Sequence, residues 1–118
     1  MELSDFTKRI ANRESFLLAN DTQFLGKLNL NEYDGESIFN KYNNYGSKYS
    51  SLSIFNQYGN YGSKYSSLSP FNAYTSTPPA IYFNGQHYGY LTKNKYVGMN
   101  VVDPDNLQEW LVFNNLRH

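Results

Sequence analysis

The chain has no cysteine. Disulfides, a thiol nucleophile and every thiolate metal site are thereby excluded, so folding rests on packing and hydrogen bonding alone. Long hydrophobic runs are missing as well. Nothing approaches the ~20 consecutive apolar residues of a membrane-crossing helix, and the start Met1-Glu2-Leu3-Ser4-Asp5 lacks the basic and then apolar regions of a signal peptide. These absences set the expectation of a soluble, cytoplasmic protein without a membrane partner. Acidic residues are absent from the whole middle of the chain: between Ser37 and Val102 there is no Asp or Glu, against five lysines. The flanks hold all ten acidic residues and five basic ones, so the formal net charge of zero conceals two opposed regions. No arginine falls in the basic tract, but eleven of the twelve tyrosines do. A surface combining aromatic faces with positive charge must be built there.

What is present is a repeat. Ser37-Ile-Phe-Asn-Lys-Tyr-Asn-Asn-Tyr-Gly-Ser-Lys-Tyr-Ser-Ser-Leu52 is followed directly by a second 16-residue copy, Ser53 to Leu68, which differs at two positions. A third copy opens as Ser69-Pro70-Phe71-Asn72-Ala73-Tyr74 and diverges into Thr75-Ser76-Thr77-Pro78-Pro79. A second duplication, offset by 63 residues, pairs Gly26-Lys-Leu28-Asn-Leu-Asn31-Glu-Tyr33 with Gly89-Tyr-Leu91-Thr-Lys-Asn94-Lys-Tyr96. Each of these copies follows an apolar run and a turn: Phe16-Leu17-Leu18 with Asn20-Asp21, and Ile81-Tyr82-Phe83 with Asn84-Gly85. Both read as β-hairpins. Asn-Gly suits a type I′ turn, which needs positive φ at both central residues. The recurrence of Gly26 and Gly89 at one position suggests a bulge or a close backbone approach.

The ends read as helices. Ser4 is the expected N-cap of the first, with Phe6 and Ile10 on one face and Arg9 and Arg13 outward. Asp103 caps the second, Pro104 takes its first position, and Leu107, Trp110, Leu111 and Asn114 form an apolar stripe with Trp110 as the largest core contributor. The repeat gives a mixed signal. Ile38, Tyr42, Tyr45, Tyr49 and Leu52 follow a 4-3-4-3 spacing, but the intervening Asn, Gly and Ser are poor helix formers. Sixteen residues at about 100° each would also start every copy roughly 160° out of phase. Tight turns fit better, with Asn40, Asn56 and Asn72 making Asx-turns and each Tyr-Gly-Ser supplying positive φ at its glycine.

The tract Asn56-Gln57-Tyr58-Gly59-Asn60-Tyr61-Gly62-Ser63-Lys64-Tyr65-Ser66 resembles uncharacterised bacterial proteins with repeats of the form Asn-Pro-Tyr-Gly-x-Tyr-Gly-Ser-x-Tyr-Ser flanked by a Tyr-Leu-Gly-x-Leu hairpin. Lys41, Gln57 and Ala73 stand where that pattern has proline. The resemblance spans roughly Leu17 to Tyr96; it implies a shared fold unit and carries no activity.

Few residues suggest chemistry. His87 lacks a local carboxylate to orient it as a base and reads as an ordinary strand histidine, and His118 is terminal. Glu32, Asp34 and Glu36 around Gly35 offer oxygen ligands without EF-hand spacing and read as a solvated loop. Gly46-Ser47-Lys48 and Gly62-Ser63-Lys64 lack the P-loop pattern. No catalytic residue, metal site or cofactor is assigned, and the protein is expected not to be an enzyme.

The expectation is one α+β domain: an N-terminal helix over 1–14, a hairpin over 15–36, the repeat tract over 37–77, a second hairpin over 78–102 sharing one small antiparallel sheet, and a helix over 103–116 packed on it. Phe39, Phe55 and Phe71 are placed inside. Tyr45, Tyr49, Tyr61 and Tyr65 are placed at the surface with Lys48 and Lys64, a Tyr/Ser/Asn/Gly palette suited to adaptable recognition. The leading expectation is a non-catalytic module that binds another protein through these residues. Single-stranded nucleic acid or a carbohydrate on the same aromatics is the alternative, and self-assembly a further one.

Overall fold

The computed structural model describes residues 1–115. Its centre is a five-stranded sheet of β1 (Phe16–Leu18), β2 (Phe24–Lys27), β3 (Ala80–Phe83), β4 (Gln86–Leu91) and β5 (Val101–Val102), in the order β2-β1-β3-β4-β5. All neighbours are antiparallel except β4 and β5, which run parallel. Asn84 and Gly85 join β3 to β4 with φ of 53° and 80°, the doubly positive geometry of a type I′ turn. Gly26 has φ of 114° beside a register break in β2, and a side chain there would strike Ile38 and Tyr45. Gly89 likewise faces the backbone of Asn100 with no room for a Cβ.

Alternation along the strands divides the molecule into layers. Phe16 and its cross-strand partner Tyr82 stack at 5.0 Å on one face, where Phe6 of α1 (Leu3–Ala11) meets both rings edge-on. Leu17 and its partner Ile81 point the other way, into a cluster with Leu25, Leu91 and Val102 that is closed by Ile38 and Ile54 of the repeats and by Leu107 and Leu111 of α2 (Leu107–Asn115). Asp103 caps a 3₁₀ turn (Pro104–Asn106) leading into α2, its carboxylate accepting the Asp105 N–H at 2.9 Å. Two details of the helices differ from expectation. Glu2, not Ser4, is the N-cap residue of α1 and makes no side-chain cap, so Ser4 lies inside the first turn. Trp110 is half-buried against Phe83 and Tyr88, leaving the fully buried positions to Leu107 and Leu111. The last residue of the expected 103–116 helix lies outside the described residues, as does His118.

The repeat tract is a ladder of consecutive β-turns. Every third residue is a corner: the N–H of Ser37 donates to the carbonyl of Asp34, Asn40 to Ser37 and Asn43 to Asn40; one four-residue step, Ser47 to Asn43, follows before the threes resume at Ser50 and Ser53. The pattern recurs 16 residues on, with the long step from Gly59 to Ser63. Small polar residues hold the corners because their side chains accept the N–H two positions ahead. Ser37 thus holds Phe39, Asn40 holds Tyr42, Asn43 holds Tyr45 and Ser47 holds Tyr49, at 2.8–3.2 Å. Asn40, Asn56 and Asn72 also donate backward to the carbonyls of Asp34, Ser50 and Ser66.

Two expectations for the repeat are corrected. Gly46 and Gly62 do not have positive φ; they are glycine because the carbonyls of Asn40 and Asn56 occupy the space of a Cβ. The fully buried apolar residue that opens each copy, next to an equally buried serine, is Ile38, Ile54 or Pro70, while the neighbouring Phe39, Phe55 and Phe71 are half-buried. The first copy docks along the open edge of β2, where Lys27 donates to Glu36 and accepts from Ile38. The last is tied by Lys93 N–H to Pro70 and by the Asn94 amide to Thr75.

Candidate functional site

Turn geometry decides which aromatics face outward. Each tyrosine two residues past a corner that opens a three-residue step points its ring away from the sheet. Two rows at 16-residue spacing result: Tyr42, Tyr58 and Tyr74 follow Asn40, Asn56 and Asn72, whereas Tyr49 and Tyr65 follow Ser47 and Ser63. Tyr33, held by Asn31 at 3.0 Å, occupies the position 16 residues before Tyr49. All six rings are 82–97% exposed. Outside the tract, Tyr96 repeats the arrangement on Asn94.

Tyr45 and Tyr61 do not join this face. Their corners, Asn43 and Gly59, open the four-residue step, and both side chains turn back to the β1–β2 hairpin. Tyr45 meets Phe24 edge-on at 5.1 Å, and burial followed by the charge of Glu36 raises its phenol pKa. The Tyr61 hydroxyl donates to Asp21 Oδ2 at 2.7 Å; burial and this hydrogen bond push its pKa up to about 12. Of the six residues expected to bind, Lys48, Tyr49, Lys64 and Tyr65 are exposed together and Tyr45 and Tyr61 are structural.

Between the exposed residues lie two grooves one repeat apart. The first, of about 380 Å³, runs between Phe39 and Phe55 over Ile38 and Gly46, with Lys48 and Tyr49 on its rim. The second, of about 680 Å³, runs between Phe55 and Phe71 over Ile54 and Gly62, with Lys64 and Tyr65 in the matching places. The geometry repeats closely: the Lys48 and Lys64 ammonium groups each sit 5.3 Å from the ring centre of the following tyrosine. Sequence periodicity located these lysines and tyrosines. The half-exposed phenylalanines were missed as walls, although their recurrence at one repeat phase was the available signal.

The chain matches no family model, no curated protein and no solved structure. What the face does must therefore be argued from its chemistry.

The remaining candidates have structural work. Arg9 pairs with Glu14 at 2.7 Å and Glu36 at 2.8 Å while lying 3.8 Å over the Phe24 ring. Its hydrogen bond is the main reason the Glu36 pKa is lowered. Asp34 accepts from the Glu36 N–H and the Asn29 amide, so the acidic turn is occupied internally. Asp103 and Asp105 both bind Lys93, whose pKa rises chiefly through the hydrogen bond to Asp105. His87 is exposed on β4, edge-on to Tyr82 and Tyr90. Among the described residues no group of three His, Cys, Asp or Glu side chains is placed to hold a metal ion, and no helix is long and apolar enough to cross a membrane.

Proposed function

We propose that the protein is a non-catalytic binding module whose recognition face is the outer surface of the repeat tract, and that its partner is another protein. The observation that carries this reading is the paired grooves. Each combines an apolar trough able to take a side chain with a rim of exposed tyrosine and of lysine that forms no ion pair among the described residues, the mix of rigid aromatic area and polar periphery that polypeptide recognition uses. Tyrosines so fully exposed contribute little to the protein's own core. Their side chains, with two torsions each, lose little entropy when a partner covers them.

Selection of binders from a random peptide library tests the reading. Peptides that bind the protein should lose at least about tenfold in affinity when Tyr49 and Tyr65 are both changed to Ser, since aromatic anchors contribute of order 2 kcal/mol each. Tyr96→Ser, on an equally exposed ring outside the tract, should leave binding unchanged. Binders indifferent to the double substitution would refute the assignment. The Lys48–Tyr49 and Lys64–Tyr65 pairs also favour a second reading, single-stranded nucleic acid, in which bases stack on tyrosine and phosphates meet lysine. That mode is recognised by an affinity that falls steeply with added salt.

A further inference from the structure

The two grooves are not separate pits. A concavity of about 460 Å³ lies between them, lined by Lys48, Tyr49 and Phe55 from the first side and by Asn56, Gln57 and Tyr58 from the second. Phe55 is a wall of all three spaces. An extended chain can therefore enter the first groove, cross Phe55 and reach the second without leaving the surface. Both grooves share an isoleucine floor, two phenylalanine walls and a lysine beside a tyrosine, and they differ where the first has Lys41 and the second Gln57 and Tyr58.

Charge selects the occupant further. Residues 37–102 contain no carboxylate, and among the described residues Lys41, Lys48 and Lys64 form no ion pair, whereas Lys93 is bound by Asp103 and Asp105. The basic side of the track is thus left uncompensated by the protein itself, with an apolar trough next to each ammonium group. A ligand that satisfies both needs an apolar side chain and a carboxylate close together, twice.

The geometry points to a divalent site: the two grooves together bind one extended acidic peptide segment of a partner protein, each groove taking one apolar side chain whose neighbouring carboxylate meets Lys48 or Lys64. This rests on the binding-module reading above and adds the ligand's chemistry and its valency. Joining two weak contacts on one chain makes the second intramolecular, so occupancy of both grooves by one ligand exceeds the affinity of either alone.

The test uses the full chain, labelled with ¹⁵N, and four synthetic probes: acetyl-Phe-Glu-amide, acetyl-Phe-Lys-amide, peptides with two Phe-Glu pairs joined by Gly-Ser linkers of increasing length, and an oligodeoxythymidine. Acetyl-Phe-Glu-amide should shift the Gly46 and Gly62 amides and acetyl-Phe-Lys-amide should bind several-fold more weakly. At the best linker length the two-anchor peptide should bind one per chain and at least about tenfold tighter than the single anchor. Lys48→Gln with Lys64→Gln, both at exposed positions that leave the core untouched, should weaken the two-anchor peptide about tenfold and abolish the preference for Glu over Lys. The inference is overturned if neither glycine amide responds, if no linker length improves on the single anchor, if the Glu-to-Lys exchange makes no difference, or if the oligonucleotide binds the track more tightly than any peptide. Its failure is distinguishable from that of the broader reading. Library-selected peptides that need Tyr49 and Tyr65 but lack paired acidic and apolar residues remove the divalent acidic site alone, while binders that ignore those tyrosines remove both.

Discussion

Gly46 and Gly62 show how a single residue can be fixed by space and not by backbone conformation. Neither has positive φ, yet the carbonyl oxygens of Asn40 and Asn56 lie where a Cβ would be. Alanine at either position must push backbone apart, so Gly46→Ala or Gly62→Ala should cost about 3 kcal/mol or more. Gly35 also avoids positive φ and has nothing near its missing Cβ; Gly35→Ala should stay within about 0.5 kcal/mol of the parent. Urea denaturation of the three variants checks the contrast. Tyr61 gives a second test at this scale. Its phenol pKa is raised from 10.0 to about 12 in the folded protein, mainly by burial and then by the bond to Asp21. The neutral phenol is therefore the form that folding favours. Its stabilising contribution is complete below pH 10 and disappears as pH rises toward 12. Melting temperature should fall more steeply across that interval for the parent than for Tyr61→Phe, and a late step in phenolate absorbance should vanish in the variant.

At the scale of an element, the turn ladder depends on corners that do two jobs. Asn56 caps the Tyr58 N–H at 3.0 Å and donates to the Ser50 carbonyl at 3.0 Å. Serine, already used at other corners, keeps the first bond and loses the second. Asn56→Ser should therefore cost about 1 kcal/mol and Asn56→Ala about 2 kcal/mol, at roughly 1 kcal/mol per hydrogen bond; the ordering, read from chemical denaturation, is the decisive feature. The same corners explain what the sequence disclosed. Asn84-Gly85 and Asp103-Pro104 were readable because each has a local chemical cause that no distant residue overrides. Asn40, Asn56 and Asn72 were readable as Asx-turns for that reason too. The three-residue step between corners was obscured because its four-residue interruption falls between Tyr45 and Tyr49 and, counted from Ile38, gives Ile38, Tyr42, Tyr45, Tyr49 and Leu52 a helix-like 4-3-4-3 spacing. That interruption alone separates Tyr45 and Tyr61 from the outward row, and nothing in the composition of Tyr-Gly-Ser-Lys-Tyr marks the first tyrosine as inward. Likewise, Ile38 and Phe39 are adjacent and both apolar. Which one sinks fully depends on the position of the sheet beneath, information carried by Leu17, Leu25 and Ile81 far away in the chain.

At the scale of the whole molecule, the repeats cannot be a detachable appendage. Ile38 and Ile54 belong to the same buried cluster as Leu17 and Ile81 of the sheet and Leu107 and Leu111 of α2. A tract of turns held by hydrogen bonds to its own polar corners buries little apolar surface internally, so this shared cluster must supply much of the free energy that orders it. Coupling follows. Ile54→Ala leaves a cavity between layers and should cost about 2–5 kcal/mol, a large part of the 5–15 kcal/mol typical of a small domain. Because the cavity opens onto the sheet and α2 as well as the repeat, the loss should appear at every probe. Trp110 fluorescence reports the sheet–α2 contact with Phe83 and Tyr88, and amide exchange at Tyr58 and Tyr65 reports the second repeat. Both should unfold at one denaturant concentration in the parent, and Ile54→Ala should lower both midpoints equally, the mark of a single cooperative unit. A Trp110 midpoint that held still while the repeat amides lost protection would show the tract melting by itself. In that case the grooves between Phe39, Phe55 and Phe71 would have to be ordered by their ligand; in the coupled case they stand preformed, and binding pays only for the rims.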